Sequence, residues 1–138
     1  MLIGGIYNSH DTSFAILENG NPILHVDLER NIRQKQPKGD AFQFLMDDYP
    51  DFKKIKHFVE INDKIHSTER QYPYAFQMIH NIVSSNSGFH YECGHHQSHA
   101  ANAFYSSNFN DALIVTIDGG GIDIVDNKRS EEHTSELQ

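Results

Sequence analysis

The densest run of metal-ligating side chains is His95-His96-Gln97-Ser98-His99, in a chain with 10 histidines among 138 residues. His95 and His99 stand four apart, so on a helix both imidazoles leave one face within reach of a single metal ion, while His96 projects elsewhere. Two imidazoles do not fill a coordination shell. Asp118 is the candidate third ligand: it follows the apolar run ALIVTI at 112–117 and precedes Gly119, Gly120 and Gly121. An acidic residue ending a buried strand sits at the sheet edge where open α/β folds gather ligands, although Asp before Gly also simply begins turns. Two histidines and a carboxylate leave open positions suited to Fe(II), with Zn(II) or Mn(II) as alternatives. The three glycines let the backbone approach a phosphate closely, or make a flexible turn. A second cluster, Ser9-His10-Asp11-Thr12-Ser13, could present N–H and hydroxyl groups to a phosphate, with His10 as general base or charge stabiliser. His25, His57, His66, His80 and His90 stand isolated and receive no role, and Cys93 reads as a small hydrophobe.

The elements that must position these residues are legible as periodicities. Three short strands are expected at 2–7, 12–17 and 22–28, the last two joined by Asn19-Gly20, a pair that tolerates the positive φ of a tight hairpin turn. AFQFLMDD at 41–48 has helical spacing, 56–61 reads as a fourth strand, and 71–84 places apolar residues at intervals of three and four, with Pro73 in the first turn. A strand at 89–93, a helix at 95–105, a strand buried on both faces at 112–117 and the start of another at 122–125 complete the pattern. A mixed sheet flanked by helices, an α/β fold, follows from that order.

Composition narrows the function. The formal charge of -8 disfavours a nucleic-acid surface. One cysteine forms no internal disulfide, the opening residues lack a secretion signal, and no run reaches the roughly 20 apolar residues of a membrane span. A cytoplasmic protein with no membrane partner is expected. The last ten residues, RSEEHTSELQ at 129–138, have no apolar periodicity and are similar to the in-frame translation of a sequencing-library adapter. They are expected to be a non-native tail carrying no fold signal, with the natural protein continuing beyond Lys128.

GIYNSHDTSFAILENGNPILHVDLER at the start, with His10-Asp11 in the polar turn and Glu29-Arg30 after the third strand, resembles the opening of O-carbamoyltransferases of the nodulation-protein and antibiotic-tailoring class. GHHQSHAANAFYSSNFNDALIVTIDGGG at 94–121 resembles their metal motif still more closely. The resemblance spans about residues 2–126. It implies the first lobe of an actin-like ATPase (ribonuclease H-like) fold with a βββαβα core over 1–128. It also implies iron held by His95, His99 and Asp118, His10 beside the transfer site, and Asp11 with Gly119, Gly120 and Gly121 near the nucleotide. A fourth, acidic ligand, the second lobe and the domain that makes carbamoyl-adenylate from carbamoyl phosphate and ATP would lie in missing carboxy-terminal parts of the same chain. The reaction implied is transfer of a carbamoyl group to the hydroxyl of a small-molecule acceptor. The alternatives are a fragment of a tRNA threonylcarbamoyl-transfer enzyme and a non-catalytic metal-binding module.

Overall fold

The computed structural model describes residues 1–9, 11–37, 39–61, 68–117, 121–125 and 128–132. In chain order these form strands β1 (Leu2–Tyr7), β2 (Ser13–Glu18) and β3 (Asn21–Asp27), then helices α1 (Leu28–Ile32) and α2 (Ala41–Asp48). A 3-10 turn (Pro50–Lys54), strand β4 (His57–Ile61), helices α3 (Thr68–Gln71) and α4 (Pro73–Ser85), strand β5 (His90–Cys93) and helix α5 (His95–Tyr105) follow. Strands β6 (Gly121–Val125) and β7 (Lys128–Glu132) come last. Five strands make one mixed sheet in the order β3-β2-β1-β4-β5, with β1 antiparallel to β2 and parallel to β4, and β2 antiparallel to β3. The fold is α/β, a mixed sheet with flanking helices. The backbone divides into two compact units, Met1–Glu92 and Cys93–Gln138. No helix among the described residues is long and apolar enough to cross a membrane.

Local chemistry explains the first unit. Asn19 and Gly20 both adopt positive φ, 51° and 85°, so the expected tight turn joins β2 to β3. Period-two alternation buries one sheet face: Ile6 of β1, Phe14 and Ile16 of β2, and Phe58 of β4. Against them pack Ala41, Phe42 and Leu45 of α2 and Ala75, Ile79, Ile82 and Val83 of α4. The Phe42 ring meets those of Phe52 and Phe58 edge-on, at centroid distances of 5.9 and 6.2 Å. Gly88 follows α4 where a Cβ would lie 1.6 Å from the Lys56 carbonyl oxygen, so only glycine fits there. The left-handed residue that closes α4 is Ser87 (φ 50°) rather than Gly88.

Two expectations are corrected. The run at 112–117 forms no strand and is exposed, Leu113 to 93% and Ile117 to 85%. A strand exists through backbone pairing, and an apolar, β-branched run without a paired neighbour does not make one. Residues 129–132 of the tail do carry backbone structure, because β7 pairs antiparallel with β6 from Val125↔Lys128 to Gly121↔Glu132, while 133–138 lie outside the described residues. Backbone pairing needs no apolar periodicity, so the polar sequence gave no sign of it. Where the tail's codons came from is a separate matter.

Phe58→Ala would empty the centre of the aromatic cluster. It is expected to cost roughly 3–5 kcal/mol, read from the shift in urea midpoint at constant m-value.

Candidate metal centre

α5 begins after Gly94, whose N–H donates to Gln97 Oε1 at 3.5 Å, a long contact that supplies the Gln97 half of a capping box, glycine having no side chain to return the other. The Ser98 hydroxyl donates to the His95 carbonyl at 2.6 Å within the same turn. The helix then does what the four-residue spacing predicts. Nε2 of His95 and Nε2 of His99 are 3.2 Å apart, with ring centroids 4.7 Å apart and planes at 79°. The two nitrogens are in hydrogen-bond contact, one ring donating and the other accepting according to tautomer; nitrogens held by one tetrahedral ion at about 2.0–2.1 Å would keep a similar separation of about 3.3 Å. His96 packs edge-on against His95 at 5.2 Å rather than extending the chelate. Beside His99 is an open hollow of about 340 Å³ lined by Ala103, Val115, Thr116 and Ile117.

The remaining predicted ligands are placed unequally. Asp118, Gly119 and Gly120 lie outside the described residues, and Gly121 opens β6. The strand expected to carry Asp118 to a sheet edge is not formed, so that part of the sequence argument no longer places it. Among the described residues, no three His, Cys, Asp or Glu side chains are arranged to hold a metal ion.

His10 also lies outside the described residues, while its neighbours Asn8, Ser9, Asp11 and Thr12 are described. The buried Asn8 side chain accepts from the Ala41 N–H at 2.7 Å. The buried Thr12 hydroxyl donates to the Ser9 carbonyl at 2.8 Å and accepts from the Gly39 N–H at 3.1 Å. These bonds clasp the β1–β2 turn to the start of α2. Asp11 takes a left-handed conformation (φ 61°), which Asp tolerates. It shares a polar hollow of about 200 Å³ with Asp27, Glu29 and Arg30, so the two segments that carry the amino-terminal resemblance meet in space. The Ser9 hydroxyl is buried without a hydrogen-bond partner among the described residues.

Asp40 caps α2 through a 2.9 Å bond from the Phe42 N–H. Burial holds its carboxyl above the usual carboxylate range, and the amide hydrogen bonds from Phe42 and Gln43 offset part of that rise. The Tyr72 hydroxyl is pushed up by its own burial and by the charge of Asp40.

Sequence reasoning passed over one buried polar pair. Glu60 of β4 (3% exposed side chain) and His90 of β5 (6%) bring Oε2 and Nε2 to 3.2 Å, although the direction is wrong for a hydrogen bond and His90 Nε2 has no such partner among the described residues. The alternation of β4 held the signal, since Glu60 shares the inward phase with Phe58.

Comparison with protein-family models and with curated proteins finds no match to this chain. The carbamoyltransferase resemblance therefore rests on the segments quoted above.

Thr12→Val keeps the shape and removes the hydroxyl, leaving the Gly39 N–H without its acceptor. A loss of roughly 1–3 kcal/mol is expected on urea unfolding. At Asp40 the sign follows from linkage: a folded-state pKa above the unfolded one destabilises the fold at higher pH, and the penalty is relieved as pH falls through the folded value. Asp40→Asn keeps a capping oxygen without charge, so it should match or exceed the wild-type urea midpoint at pH 7. Any advantage should vanish as the pH is lowered through the Asp40 titration.

Proposed function

We propose that the chain is the amino-terminal part of an O-carbamoyltransferase of the nodulation-protein and antibiotic-tailoring type, with a divalent metal, Fe(II) in the first instance, held by His95 and His99. The observation that carries this reading is the 3.2 Å separation of the two Nε2 atoms on α5, within the block most similar to the family's metal motif. The sheet lends further support. Three hairpin-linked strands, a helical segment (α1 and α2), a strand parallel to β1, a second helical segment (α3 and α4) and the edge strand β5 are compatible with the βββαβα order implied for an actin-like lobe.

In this reading Asp118 supplies the third ligand. The bound metal contributes Lewis-acid polarisation of the carbamoyl carbonyl. His10 accepts the proton of the acceptor hydroxyl as that oxygen bonds to the carbamoyl carbon and the bond from that carbon to the adenylate phosphate oxygen breaks, releasing AMP. Asn8 and Thr12, on either side of His10 and Asp11 in the sequence, bond to the approach to α2. The resemblance assigns Asp11 and Gly119 to Gly121 to the nucleotide, as carbamoyl-adenylate that a further domain of the same protein would make from carbamoyl phosphate and ATP. The hollow beside His99 gives a small hydroxyl-bearing acceptor a place to lie.

A non-catalytic metal-binding module is the second reading, favoured by the lack of a third ligand beside His95 and His99 among the described residues. Anaerobic Fe(II) titration of the full chain tests both readings. The double variant His95→Ala/His99→Ala is expected to lose one equivalent of bound metal, and an unchanged titration would remove the site. Asp118→Asn should weaken that equivalent at least about tenfold if the carboxylate is a ligand, and leave it untouched if only the two imidazoles bind.

A further inference from the structure

We propose a second divalent-cation site in the unit Met1–Glu92, formed by Glu60, His80 and His90 and separate from the α5 pair. It begins with the buried pair already described. Glu60 Oε2 and His90 Nε2 lie 3.2 Å apart, both side chains are more than nine-tenths buried, and the geometry gives the imidazole nitrogen no hydrogen bond. A buried ring nitrogen without such a bond is unfavourable unless something else engages it. The separation is what two donors on one tetrahedral ion require, about 3.3 Å at bond lengths of about 2.0–2.2 Å. A cation there would engage the unpartnered ring nitrogen at the separation the pair already keeps.

The third donor comes from α4. The His80 ring lies 5.6 Å from the His90 ring, centroid to centroid, with planes at 81°. Two imidazoles bound through nitrogen to one ion place their centroids about 5–5.5 Å apart, by the same bond lengths. Phe76, one turn earlier on α4, packs against both rings, at 4.6 Å from His80 and 5.6 Å from His90, and so keeps them together. The three groups do not converge as they stand. His80 is exposed, however, and turning its ring toward the buried pair is a side-chain motion of the kind that takes picoseconds to nanoseconds. His80 is also the route from solvent. Two imidazoles and one carboxylate form a set that suits Zn2+ and related first-row dications. A bound ion would tie α4 to β4 and β5 and raise stability by mass action.

Calorimetric titration of the full chain with zinc chloride tests the site, using His95→Ala/His99→Ala as background so that the α5 pair is silent. One equivalent of Zn2+ should remain in that background, and Zn2+ should raise its melting temperature. Adding His80→Ala should weaken the remaining equivalent at least about tenfold and abolish the thermal shift. His80 is exposed, so this variant keeps the fold. Glu60→Gln should act in the same direction, with circular dichroism checking that this buried change still folds. Undiminished Zn2+ binding in the His80→Ala triple variant, or no Zn2+-induced thermal shift in the double variant, would overturn the proposal. The carbamoyltransferase reading is judged separately, by whether the double variant loses its own equivalent of metal.

Discussion

The burial of one face of the five-stranded sheet beneath α2 and α4 is the constraint on which the rest of the first unit depends. β1 lies between β2 and β4, so Ile6, Phe14, Ile16 and Phe58 face one way together, and the Phe42 ring of α2 is wedged edge-on between Phe52 and Phe58. Gly4 of β1 lacks a side chain where a Cβ would stand 2.7 Å from the Phe58 ring, so the aromatic cluster presses directly on the central strand. Such close packing leaves little room for substitutions that change volume. It also dictates which backbone groups must find partners away from water.

The polar clasp at the β1–β2 turn follows from that demand. Once α2 is seated on the sheet, the N–H groups of Gly39 and Ala41 at its approach are removed from solvent, and Thr12 and Asn8 accept from them. The residues that satisfy the helix start therefore also tie the end of β1 and the start of β2 to α2. At His90 the same demand is met less completely: the inward phase of β4 buries the Glu60 carboxylate beside it, and the His90 ring nitrogen approaches to 3.2 Å without completing a hydrogen bond. The buried pair lies on the same sheet face as the apolar core.

The α5 pair depends on much less. Helical periodicity alone brings His95 and His99 together, and the first turn is closed by its own Gly94, Gln97 and Ser98. The arrangement is local and would survive many changes elsewhere. A complete coordination shell is a different requirement, because it needs a donor from another part of the chain. The expected donor, Asp118, was placed by assuming that 112–117 pairs as a strand, and that run stands exposed instead.

The sequence by itself determined the features set within a few residues. The Asn19-Gly20 turn, the bounds of α2 and α5 and the facing of His95 and His99 all depend on local φ, capping and periodicity. Its strand for 112–117 failed because apolarity and β-branching state a tendency, whereas a strand requires a partner backbone that no short window of sequence names. The pairing of β7 with β6 went unseen for the converse reason, since main-chain hydrogen bonds do not depend on an apolar pattern. Only the tertiary structure decided that β4 returns beside β1, that Asp11 meets Glu29 and Arg30, and that Glu60, His80 and His90 become neighbours. Those contacts join residues far apart in the chain, and what brings them together is the burial of the shared sheet face and the hydrogen bonds that burial makes obligatory.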